Sequence, residues 1–237
     1  LEGQERLSPI LTSCHQFVPD SGGPGKFRGG VGVEKGATLI QAEDTVMSYS
    51  CDRSRSITWG IAGGLPSIPH GVWLERGNEN EEYLGAWFAN RRVPKGTYFT
   101  RPSAGGGGYG DPLERDPALV LEDVIDGYVT IERARKDYGV VIEEVDPEVC
   151  DYRVDEEATR AERARIAAAR HEWIEEDPEV VAARYRAGEL DVLDVIRQYA
   201  VVLDWGTGEL LPNSTRQFRE AFKRRTAAAW KPAAELV

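Results

Sequence analysis

The residues best suited to chemistry gather in one run, Arg101-Pro102-Ser103-Ala104-Gly105-Gly106-Gly107-Gly108-Tyr109-Gly110-Asp111-Pro112. Glycine tolerates φ > 0, so this run can turn sharply or let another backbone or a ligand come close. Its N–H groups suit an anion nest, with Arg101 beside it. Arg101, Gly105, Gly106, Gly107, Gly108 and Asp111 are therefore the candidate ligand-binding residues. The competing reading is a tight crossover between two structural units. Gly105, Gly107 and Gly110 satisfy GxGxxG, but a glycine run does so trivially and no β-α-β pattern surrounds it. No residue is assigned a catalytic role.

The remaining candidates are weaker. His15 and His70 are the imidazoles of the front half. Pairing His70 with Asp44 or Asp52 would make a metal site, but no spacing places them together, and His70 reads as a loop residue after Pro69. No metal site is expected in this chain. His171, beside Glu172 and Trp173, reads as a surface or contact residue. The segment Gly25-Lys26-Phe27-Arg28-Gly29-Gly30 suits an anion superficially, yet a Walker loop needs Ser or Thr after its Lys, where Phe27 stands. It reads instead as a turn-rich entry into a strand. Val202-Leu203-Asp204-Trp205-Gly206-Thr207-Gly208 looks like the phosphate loop of actin-like ATPases, but only a short, mostly helical stretch follows it.

The elements that would position these residues change character at the glycine block. Before it, short β-branched and apolar segments are bounded by Gly and Pro: 38–41, 45–51, 71–75, 83–90 and 98–100 read as strands. After it the pattern turns helical, so the expected fold class is α+β, with a β-rich region 1–110 and a helical region 111–237. Asp116-Pro117 opens a helix ending at Gly127, and Thr130 caps a second helix through Tyr138 before the apolar run Val140-Val141-Ile142. The pattern returns 61 positions later. Asp177-Pro178, Val181, Gly188, Tyr199 and Val201-Val202 repeat Asp116-Pro117, Val120, Gly127, Tyr138 and Val140-Val141. The units 116–143 and 177–204 thus read as a duplicated helix–glycine–helix–strand. Ile131, Ala134 and Tyr138 line one face, as do Val192, Val195 and Tyr199, and these faces would most simply cover each other. Between the units, residues 155–177 read as a surface helix whose Glu157, Glu162, Arg163 and Arg165 face solvent. Ser214 with Gln217 suggests a capping box for a last basic helix reaching about Trp230.

Composition limits the partners. The 237 residues carry a formal net charge of −11, which argues against nucleic acid or an anionic membrane as the main partner. Three scattered cysteines without a CxxC argue against a disulfide framework or structural zinc and suggest a reducing cytoplasm. No run approaches the apolar length of a membrane span, and no leader is recognisable. The chain begins at Leu1 without an initiator Met, so a fragment or split subunit is expected.

Taken in order, Gly25–Gly30, Gly105–Gly110 running into Asp111-Pro112-Leu113-Glu114-Arg115-Asp116-Pro117, Asp126-Gly127-Tyr128-Val129 and Asp137-Tyr138-Gly139-Val140-Val141 resemble the C-terminal region of the hydantoinase B/oxoprolinase family. The resemblance covers residues 19 to about 143. The tail, with Ala187-Gly188-Glu189-Leu190-Asp191 and Leu203–Pro212, is similar to the large α subunits of the acetone and acetophenone carboxylases. The resemblance implies a cytoplasmic hetero-oligomer with an actin-like, hydantoinase A-type ATPase partner and the N-terminal part of the family's own subunit. It implies ATP and a divalent metal (Mg or Mn) in the full complex, none of it bound by this chain, because the family's metal-binding histidines lie outside the matching region. The implied activity is an ATP-dependent, bicarbonate-using ketone carboxylase (a ligase forming C–C bonds), with this chain inactive alone. An ATP-dependent cyclic amide hydrolase of the hydantoinase or 5-oxoprolinase type, and a non-catalytic assembly module, are the alternatives.

Overall fold

A computed structural model describes residues 2–41, 43, 45–149 and 151–230. Strands dominate the front and helices the rear, giving the mixed α+β class expected. A short helix α1 (Glu2–Leu7) leads into β1 (Ile10–Phe17), β2 (Val33–Leu39), β3 (Thr45–Ser50), β4 (Val72–Leu74), β5 (Glu82–Gly85), β6 (Trp87–Val93) and β7 (Tyr98–Pro102). Five strands form one antiparallel sheet in the order β1-β2-β7-β4-β5, and β3 pairs with β6 in a separate ribbon.

Two differences from the sequence reading have local causes. The expected strand 83–90 is broken: Gly85, at φ 75°, turns the chain so that β5 joins the sheet and β6 joins the ribbon. Strand β1 is absent from the sequence reading because Ile10-Leu11 and Thr12-Ser13 do not alternate in polarity, although alternate residues are half-covered as it begins.

A 3₁₀ turn, Pro112–Glu114, follows the glycine block, then α2 (Pro117–Ile125), α3 (Ile131–Tyr138), the hairpin strands β8 (Ile142–Asp146) and β9 (Asp151–Val154), α4 (Glu156–Glu175), α5 (Pro178–Arg186), α6 (Val192–Arg197) and α7 (Pro212–Thr226). Positions 61 apart behave alike. The Asp116 and Asp177 carboxylates each accept the N–H two residues on, and Gly127 and Gly188 sit at φ 75° and 76°. Gly139 and Ala200 are both left-handed, at φ 63° and 50°. The third element differs: the first unit runs into β8 at Ile142, whereas Leu203 makes only a single bridge to Leu210.

The apolar faces of the two units do not cover each other. Val120, Val129, Ala134, Tyr138 and Val140 form one buried cluster; Val181, Leu190, Val195, Tyr199 and Val201, their equivalents, belong to another. What joins the units is charge. Arg133 pairs with Asp194 at 2.9 Å, the residue at its own place in the second unit, and also with Asp191. Lys136 Nζ reaches Asp194 at 3.1 Å, and Arg197 reaches Asp137 at 2.6 Å. Asp137, Arg133, Asp194 and Arg197 are all buried. In each unit the helix turns its apolar side inward to its own cluster, which leaves its polar side for the other unit.

Helix α4 is likewise not a surface helix. Thr159, Glu162, Ile166, Ala167, Arg170 and Ile174 form a buried stripe along it. Glu162 holds Arg165 and Arg135 instead of facing solvent, and Arg163 donates to the carbonyls of Tyr138 and Arg115. No Ser214–Gln217 capping box forms. Helix α7 begins at Pro212, whose missing N–H costs nothing at the first helical position, with no side-chain cap on Leu211.

Candidate functional site: a basic cleft beside the glycine block

The glycine block lies between two other backbone segments. Gly23 N–H donates to Gly106 O at 2.7 Å and Gly106 N–H to Gly30 O at 2.8 Å on one side. Gly108 N–H donates to Leu65 O at 3.0 Å and Gly110 N–H to Ile61 O at 3.0 Å on the other. The contacts leave no room for side chains. A Cβ on Gly105, Gly107 or Gly108 would strike the carbonyls of Ser21, Trp59 or Pro24 respectively. Gly106 is the exposed member, where a Cβ would meet nothing nearer than Gly30 N at 3.3 Å. The N–H groups of Gly106, Gly108 and Gly110 are thus satisfied by this chain's own carbonyls, and they point to both sides, not to one focus.

The rear half clamps this layer. Arg197 donates to the carbonyls of Pro66, Asp20 and Gly22, at 3.1, 2.7 and 3.1 Å. The Trp230 and Trp205 indoles donate to Gly63 O and Ser54 O, and Arg28 and Arg115 both pair with Asp123. Asp111 belongs to the same clamp. It is 2% exposed, accepts from Leu113 N at 3.0 Å and pairs with Arg170 at 2.8 Å. Burial pushes its carboxyl up, and Arg170 opposes that.

Arg101 leads elsewhere. It lies in β7 opposite Lys35 of β2, and both line a cleft of about 260 Å³ between the five-stranded sheet and β3. Ile10, Ala37, Met47, Val72 and Phe99 give the cleft apolar walls, and the Arg101 guanidinium sits 5.7 Å from the centre of the Tyr49 ring. The Tyr49 hydroxyl is hydrogen-bonded to His70 Nε2 at 2.7 Å, and the two rings stack. Burial, then the Arg101 charge, holds the His70 imidazole below its ordinary range, so it is neutral at pH 7. Burial pushes the Tyr49 phenol up, against Arg101. Of the candidate residues, then, Arg101 opens on a cleft, Asp111 is buried against α4, and the glycines separate them.

Lys35 and Tyr49 are the residues that sequence reasoning passed over. Lys35 sits between Glu34 and Gly36 without any local motif, and only the long-range register of β2 with β7 sets it against Arg101. The other candidates have structural settings. Asp204 accepts the N–H groups of Gly206 and Thr207, both at 3.2 Å, so this turn closes on itself. His171 is exposed and packs edge-on against Trp230. Among the described residues no group of three or more His, Cys, Asp or Glu could hold a metal ion; Asp44 lies outside them. Cys14 and Cys51 are free, and Cys150 lies outside the described residues. Among the described residues no helix is long and apolar enough to cross a membrane.

Residues 1–112 match the hydantoinase B/oxoprolinase family. The resemblance seen in the motifs is thereby borne out. The acetone carboxylase alpha subunit of Xanthobacter autotrophicus is 28% identical over 78% of this chain and 28% of its own length. The caprolactamase subunit beta of Pseudomonas jessenii is 34% identical over 69% of this chain and 28% of its own. Solved structures carry the same fold. Nucleotide-free acetone carboxylase aligns over 99% of this chain and 34% of its own, with a TM-score of 0.61 at 23% identity. The ATP-dependent caprolactamase of Pseudomonas jessenii aligns over 69% of this chain and 28% of its own, with a TM-score of 0.57 at 33% identity. The chain spans about a quarter of the length of the curated relatives it matches.

Proposed function

We propose that this chain is the C-terminal part of the hydantoinase B-type subunit in an ATP-dependent ketone carboxylase that uses bicarbonate. The observation carrying this reading is the extent of coverage. The acetone carboxylase fold extends over 99% of the chain and the caprolactamase fold over 69%. The sequence alignments point the same way, at 78% against 69%. In this reading the complex is cytoplasmic and pairs with a hydantoinase A-type ATPase subunit. Neither nucleic acid nor a membrane is among its partners.

The residues present do not fit ATP or a catalytic metal. The Gly106, Gly108 and Gly110 N–H groups are taken by backbone carbonyls, the Asp204 turn is closed on itself, and the described residues offer no metal-ligand cluster. In this reading nucleotide and a divalent metal (Mg or Mn) are bound by other parts of the complex. This chain supplies architecture: a glycine backbone layer held by a duplicated helical clamp. A cyclic amide hydrolase is the second reading, favoured by the higher identity to the caprolactamase subunit, 34% against 28%. ATP hydrolysis by the whole complex decides between them. Stimulation by a ketone together with bicarbonate supports carboxylation; stimulation by a lactam or hydantoin without bicarbonate overturns it.

A further inference from the structure

We infer that the cleft between the five-stranded sheet and the β3–β6 ribbon is a binding site for a small organic carboxylate with a short apolar body. Lys35 and Arg101 are register partners on neighbouring antiparallel strands, and both line the cleft. Such partners have Cα atoms about 4.5–5.5 Å apart, and like charges placed there repel. His15 is the register partner of Lys35 on its other side, so a row of basic residues crosses three strands.

Scarcity of acid does not explain the pairing. The chain has 40 Asp and Glu against 29 Lys and Arg. The carboxylates nearby are used otherwise: Glu34 takes Arg76 and Thr100, Glu82 takes Arg91, and Glu75 takes Asn78 and the Tyr98 N–H. Among the described residues Lys35 and Arg101 enter no ion pair; the Arg101 guanidinium lies over the Tyr49 ring and its charge opposes the rise of the Tyr49 phenol, with no carboxylate to neutralise it. A sheet that retains two facing cations without an internal anion is suited to receive an external one.

The walls set the ligand class. A guanidinium steadied on an aromatic face presents a planar fork that matches a carboxylate, and the ammonium beside it adds a second donor. The apolar lining of Ile10, Ala37, Met47, Val72 and Phe99 suits a hydrocarbon body better than a second charged group. A volume of about 260 Å³ holds a small molecule and not a nucleotide. The inference stands on this geometry alone. Ketone carboxylation and amide hydrolysis both end in a carboxylate, so either reading above would supply such a ligand.

Butyrate is a suitable probe, with butyramide as its uncharged counterpart and inorganic phosphate as a second anion. Each is titrated calorimetrically into the 237-residue chain at constant ionic strength, and the unliganded unfolding temperature is measured alongside. Butyrate is expected to bind saturably and more tightly than phosphate, with no binding of butyramide. Lys35→Met and Arg101→Met should each weaken butyrate binding roughly 10- to 100-fold, the loss of one charge-assisted hydrogen bond. Lys35→Met should also unfold at a higher temperature than the parent, because the repulsion is removed. Absence of saturable butyrate binding, parental affinity in either variant, or tighter binding of phosphate overturns the proposal. So does a Lys35→Met unfolding temperature below the parent's, which would mark Lys35 as a structural contact.

Discussion

Replacing Arg197 by Met tests whether the two helical units are held together by charge. Arg197 is 2% exposed and ties three things at once: Asp137 of the first unit, the loop carbonyls of Asp20 and Gly22, and Pro66 O. Met keeps the apolar stem and removes all these donors. Asp137 is then left with Arg133 at 3.8 Å, too far for a hydrogen bond. Orphaning a buried ion-pair partner costs about 3–5 kcal/mol. For a chain of this size that lowers the unfolding temperature by roughly 6–20 °C.

The pH dependence has a defined sign. Burial already pushes the Asp137 carboxyl up, and Arg197 is the main opposing charge. Without Arg197 the carboxyl rises further and takes up a proton on folding. A group raised in the folded state contributes stability at low pH that is lost as pH rises through the folded value. The gap between parent and variant should therefore narrow as pH falls. Urea denaturation across pH reads both effects, and the double variant with Asp137→Asn should recover much of the loss. A loss within about 0.5 kcal/mol at pH 7, the range of surface substitutions, would refute the reasoning. A strictly additive double variant would do the same.

Three further outcomes follow from the same geometry. Gly108→Ala should destabilise severely because its Cβ meets the Pro24 carbonyl, whereas Gly30→Ala, with nothing within 4 Å, should be neutral or gain up to about 1 kcal/mol in thermal or chemical denaturation. The His70 imidazole resonance in NMR should titrate below the ordinary His value, and Arg101→Gln should move its midpoint upward. With its folded value depressed, His70 contributes stability present above about pH 6.5 and lost as pH falls below it. Asp111→Ala, which removes a buried partner of Arg170, should cost about 3–5 kcal/mol in urea denaturation, while Asp126→Ala at an exposed helix end should cost under about 0.5 kcal/mol.

What was legible in the sequence was whatever depends on neighbours along the chain. The caps at Asp116, Thr130 and Asp177, the helix-ending Gly127 and Gly188, and the 61-residue correspondence are all local, and all appear in the structure. The change from strand to helix at the glycine block is local too. What depends on pairing across the chain was not legible. Glu162 reads as a solvated helix position because charge alone hides that its partner, Arg135, lies 27 residues away. The polar sides of α3 and α6 gave no sign that they meet. The glycine block signalled close backbone approach, but that its neighbours would be residues 21–30 and 59–65 of the same chain emerged only in three dimensions. Lys35 acquired significance only from its register with Arg101.

The most direct test of the proposed function follows the carbon atom. The assembled complex is given ATP, ¹³C-bicarbonate and a simple ketone, and products are read by ¹³C NMR. Ketone carboxylation predicts the label in a new carboxylate bonded to carbon, formed only when ATP is consumed. An unlabelled product pool, with ATP consumed instead during opening of a lactam or hydantoin ring, would contradict it.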